Sequence, residues 1–215
     1  MIITRFFRTS VGRKSIMAAS GAFLSLFLIM HGLGNATAFF GREAFLAYAS
    51  RLHSLGVLIH VFEFILLAVF LLHIATGLTL FVENMQARPV RYLVTKSSGG
   101  RTLGSRSMPY SGMVILIFLV IHLINFQFTD HPGSVAEMMR DLFRIPVYAF
   151  FYIASLAVLF FHVSHGFWSL LQTLGVNHPT YDATMRNGAL MISLLVSAIF
   201  IFIPFCTLLL DNFLL

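Results

Sequence analysis

Five long apolar runs constrain this chain more than any other feature. They cover approximately residues 16–40, 55–82, 110–128, 146–171 and 189–210. A helix needs roughly 20 apolar residues to cross the hydrocarbon core of a bilayer. Only helices or closed barrels satisfy their backbone groups there. These runs are too long and too continuous for barrel strands. The predicted fold is all-α: one integral membrane bundle of five transmembrane helices, a single domain over residues 1–215. Charged residues make up 10% of the chain, against about 25% in soluble domains. Cys206 is the only cysteine, which excludes an internal disulfide. The basic start MIITRFFRTSVGRK lacks a short apolar core with a small-residue cleavage site, so no removable signal peptide is expected.

The net charge of +6 is read as a report of orientation, not as a sign of nucleic-acid binding. With the N-terminus inside, the inner segments hold Arg5, Arg8, Arg13, Lys14, Arg88, Arg91, Lys96, Arg101, Arg106 and Arg186, ten of the fourteen Lys and Arg. The outer segments hold Arg42, Arg51, Arg140 and Arg144. Positive charge concentrates on the cytoplasmic side. The expectation is a multi-pass protein of the cytoplasmic (inner) membrane, N-terminus in and C-terminus out. Residues 41–54 alternate at helical period and suit the outer interface.

Four histidines lie inside four successive runs: His31, His73, His122 and His165. An ionisable ring in hydrocarbon is costly and needs a partner. With about 1.5 Å of rise per residue, His73 and His165 lie roughly 14 and 9 Å from the inner ends, and His122 and His31 roughly 18 and 22 Å. Runs two and four thus supply an inner pair; runs one and three supply an outer pair. Runs one and three also echo each other. Ser20-Gly21 precedes His31 as Ser111-Gly112 precedes His122. Small residues there allow close approach of a helix or a flat ring.

Two imidazoles per level suit two heme irons. Bis-histidine ligation leaves no open position, so the implied task is electron transfer. Copper or zinc also accepts nitrogen ligands, but those metals usually gather three or more at one depth. The plain alternative for each ring is a structural histidine bonded to a neighbouring carbonyl.

On these residues the chain resembles the diheme cytochrome b membrane anchor of succinate dehydrogenases and fumarate reductases, the form with five helices in one polypeptide. The likeness spans nearly the whole chain and rests on FLIMHGLGN, FLLHIATG, SGMVILIFLVIHL and HVSHGFWSLLQTLG in order. It implies two heme b groups, the outer held by His31 and His122, the inner by His73 and His165. It also implies a flavoprotein subunit and an iron–sulfur subunit on the inner face, with menaquinone or ubiquinone as the membrane substrate. Dicarboxylate chemistry then belongs to a partner subunit. Run four offers His162 as well as His165; the family pattern of a ligand directly before glycine selects His165, before Gly166. Some fumarate reductases carry a glutamate two residues before that ligand, where this chain has Val163.

Other residues have two readings each. His60 and Glu63, with His53 nearby, are candidates for quinone-coupled proton transfer, or form a structural pair at the outer end. Arg13, Lys14 and Arg91 are candidates for heme propionate contacts, or anchor helix ends to headgroups. Trp168 packs on the inner heme or marks the interface, and no role is assigned to His131 or His178. Two other functions fit the same runs. One is the cytochrome b anchor of another quinone-linked enzyme, of formate dehydrogenase or hydrogenase type. The other is a proton-conducting membrane protein without heme.

Overall fold

The computed structural model describes residues 9–87, 103–176, 178–210 and 213. Seven α-helices appear, with no strand among the described residues. They are α1 (Ser10–Ala36), α2 (Arg42–His53), α3 (Val57–Gln86), α4 (Leu103–Phe126), α5 (Val135–Phe143), α6 (Pro146–Thr173) and α7 (Asp182–Leu209). Five of them, α1, α3, α4, α6 and α7, are long and apolar enough to cross a membrane.

The helices overrun the apolar runs at their polar ends. α1 begins at Ser10 because the Thr9 hydroxyl accepts the Gly12 N–H at 3.0 Å, capping a first turn too polar for hydropathy to include. α4 continues through Pro109 for the same compositional reason. Gly41 at φ +100° and Gly56 at φ +53° make the breaks on either side of α2, where a side chain would be strained. α6 starts with Pro146 in its first turn, where the missing N–H costs nothing.

The short helix α5 has no counterpart in the apolar pattern. Its signature is a capping box: Ser134 and Glu137 each bond the other's backbone N–H. These hydrogen bonds from Ser134, backbone first and hydroxyl second, hold the Glu137 carboxyl below its usual range. Arg42 of α2 reaches Glu137 of α5 at 3.2 Å. Phe45 of α2 is buried with Ala136, Met139 and Phe143 of α5, Phe118 of α4 and Tyr152 of α6. α2 and α5 together close one end of the bundle, here termed distal; it corresponds to the predicted outer end.

Four spans form a ring in which α1 packs on α3 and α6, α4 packs on α6, and α3 touches α4 only lightly. α7 lies against α6 and α1. The diagonals are therefore α1 with α4, and α3 with α6. Gly32 makes one of the close approaches: a Cβ there would lie 3.4 Å from the Phe200 ring of α7. No residue in the most apolar window of α3 is buried within the chain, so much of that helix's surface faces outward.

Candidate functional site

The two diagonals carry the histidines. At the distal level His31 of α1 faces His122 of α4, with ring centroids 6.1 Å apart and planes at 83°. Two imidazole nitrogens on opposite sides of one metal ion, each at about 2 Å, place the ring centroids roughly 6 Å apart. The observed gap has that size. Phe27 stacks on His31 at 5.4 Å, and Phe200 lies 5.4 Å from the same ring. Phe118, Phe126 and Tyr152 surround His122 at 5.7, 5.1 and 6.1 Å. Within this apolar cage Nδ1 of His122 is sealed from solvent and has no hydrogen-bond partner among the described residues. A buried polar atom left unpaired is costly, so this ring is the one most in need of a further ligand. The Asn35 amide donates to the His31 carbonyl at 2.9 Å and stands 3.4 Å from His31 Nε2.

At the proximal level the adjacent helices hold the rings. His73 Nδ1 on α3 lies 3.0 Å from Ser20 Oγ on α1. His162 Nδ1 on α6 lies 3.0 Å from Ser111 Oγ on α4. The glycines of the two Ser-Gly pairs face the same rings. A Cβ on Gly21 would lie 3.4 Å from His73 Cε1, and one on Gly112 3.6 Å from His162 Cε1. Ser20 precedes His31, and Ser111 precedes His122, by eleven residues, which is about 16 Å along a helix. Two levels result, His31 with His122 and His73 with His162, whereas the predicted inner pair was His73 with His165.

His165 occupies another place. Its Nδ1 lies 2.7 Å from where a Gly104 Cβ would stand, so the ring rests on the bare backbone in the first turn of α4. Gly104 is seven residues before Ser111, toward the proximal end. His162 lies within electrostatic reach of both His73 and His165.

The remaining candidates are not brought to the histidine pairs. His60 Nδ1 and Glu63 Oε2 are 3.1 Å apart near the distal start of α3, with side chains 73% and 45% exposed. His53 Nδ1 bonds the Ala49 carbonyl of its own helix at 2.8 Å. Arg13 is engaged by Glu83, tying the proximal ends of α1 and α3 together. Lys14 is exposed and Trp168 half-buried. Arg91 lies outside the described residues.

Among the described residues no group of three or more His, Cys, Asp or Glu gathers as a metal site; the donor sets are pairs. The residues present fit bis-imidazole complexes in three respects. The distal rings have the right separation, one distal nitrogen lacks a partner, and both proximal rings are oriented by hydroxyls. The Ser-Gly echo is legible in the sequence, whereas the pairing of each serine hydroxyl with a particular histidine is not. The equal spacing was the available signal; which neighbouring ring each hydroxyl meets depends on helix rotation. No family profile, characterised protein or solved structure matches the chain.

Proposed function

We propose that this chain is a diheme b-type membrane cytochrome that passes electrons between a membrane quinone and the flavoprotein and iron–sulfur subunits of a succinate dehydrogenase or fumarate reductase. The observation that carries this reading is the facing pair His31 and His122 at 6.1 Å, with a second histidine level held by Ser20 and Ser111. Bound heme would supply a one-electron couple, and its ligation by two imidazoles would leave no position for oxygen.

His31 and His122 would hold the distal group. His73 and one histidine of α6 would hold the proximal group. The geometry favours His162, at the Ser111 level, for the α6 seat; the family resemblance favours His165. Arg13 and Lys14 stand at the proximal end of α1, suited to propionates. The His60–Glu63 pair, open to the lipid-facing surface of α3, is suited to exchange protons with a lipid-dissolved menaquinone or ubiquinone. The proposed setting is the cytoplasmic membrane, N-terminus inside.

The test is a reduced-minus-oxidised absorption spectrum of the purified chain made with full heme supply, together with identification of its co-purifying subunits. Two six-coordinate hemes b per chain are expected. A colourless chain that conducts protons in vesicles would overturn the reading in favour of a non-heme carrier. Subunits of formate dehydrogenase or hydrogenase type would reassign the partner and leave the electron-transfer role in place.

A further inference from the structure

We infer that Ser20 and Ser111 are positioning residues that fix the tautomers of His73 and His162 and thereby set the reduction potential of the proximal group. This rests on the diheme reading for its consequence, though not for its geometry. A serine hydroxyl has one proton to donate and two lone pairs to accept with. The Ser20 hydroxyl lies 2.8 Å from the Ile16 carbonyl and 3.2 Å from that of Met17. The Ser111 hydroxyl lies 3.1 Å from the Met108 carbonyl. A carbonyl can only accept, and on this inference each serine proton goes to the carbonyl of its own helix. What each serine oxygen offers the imidazole 3.0 Å away is a lone pair.

With the serine protons so assigned, Nδ1 carries the proton in His73 and His162. Nε2 is left with the lone pair that iron requires. Ser20 is 4% and Ser111 8% exposed, so water does not compete for either bond. An acceptor on Nδ1–H makes the other nitrogen a stronger donor to a metal. A stronger donor favours the oxidised iron and lowers its potential, one of the levers a protein has over heme. The device has no counterpart at the distal level, where among the described residues no serine is placed against either ring and His122 Nδ1 is left open to a ligand. The two levels therefore differ in imidazole character although both ligand sets are histidine pairs.

The test uses the full chain with Ser20→Ala, Ser111→Ala and the corresponding Thr variants. Redox titration of the loaded protein should show the proximal potential rising in the Ala variants. The expected size is up to roughly a tenfold change in the oxidised-to-reduced ratio at fixed ambient potential, equivalent to 59 mV for a one-electron couple. The distal potential should stay put and Thr should restore the proximal one. Ser193→Ala is the control: Ser193 is buried and donates to the Ala189 carbonyl at 2.8 Å, with no histidine partner described. Equal shifts from Ser193→Ala, or none from the other two, would overturn the inference while leaving the diheme reading intact. Nitrogen-15 resonances of the imidazoles in the unloaded chain provide a readout independent of heme. The Nδ1–H form is expected at His73 and His162, giving way to mixed tautomers in the Ala variants. Finding Nε2–H there in the parent chain would overturn the inference even if both hemes bind.

Discussion

Replacing His162 by Ala should remove one heme, whereas His165→Ala should leave two. His162 and His165 are three residues apart, which is about 4.5 Å along the helix axis. Metal–ligand distances tolerate only about 0.2 Å. One iron level therefore cannot use either histidine interchangeably unless α6 slides by most of a turn. The level of the proximal pair is marked independently by Ser20 beside His73 and Ser111 beside His162, both at 3.0 Å. His165 instead rests on Gly104. Loss of His162 also ends the Ser111 hydrogen bond, but that hydroxyl keeps its donation to Met108, so the fold should lose only about 1 kcal/mol on that account. The assay is heme content per chain by alkaline pyridine spectrum, with low-temperature difference spectra to say which band disappears. If His165→Ala yields one heme and His162→Ala yields two, the serine-marked level is not the iron level and the reasoning fails.

Gly34→Ala should loosen α2 at a cost of about 1–3 kcal/mol, the usual range for overpacking, because the new Cβ would clash with the Tyr48 ring and hydroxyl. Thermal unfolding in detergent reads this, and adding Tyr48→Ala should cancel most of the loss. Glu63→Gln should slow quinol-driven heme reduction by roughly 100-fold or more, as loss of a proton-transfer group does, while dithionite still reduces both hemes; an unchanged quinol rate would remove Glu63 from that role. The Glu137 carboxyl is held below its usual range, first by the Ser134 backbone bond. A lowered folded value contributes stability that is present above the ordinary carboxylate value and is lost as pH falls through the lowered one. Hydrogen exchange in α5 should therefore be protected at neutral pH and released only on acidification. Glu137→Gln, which keeps a capping side chain, should flatten that dependence.

Run length and composition are local properties, so the five spans were legible directly. The pairing of His31 with His122 was legible too, because runs one and three repeat the same spacing from Ser-Gly to histidine. The capping box of α5 was present in the residues Ser134 and Glu137 but carries no long apolar run, and hydropathy passes over it. Other features were decided only by tertiary structure. Glu83 as the partner of Arg13, Ser20 as the partner of His73 and the separate seats of His162 and His165 all depend on how far each helix is rotated and slid against its neighbour. A one-residue rotation of about 100° moves a side chain to another face without changing any apolar run. The sequence by itself determined that four spans each bring a histidine into the membrane. Which hydroxyl each proximal ring meets, and the separate seats of His162 and His165, were settled by packing between helices far apart in the chain.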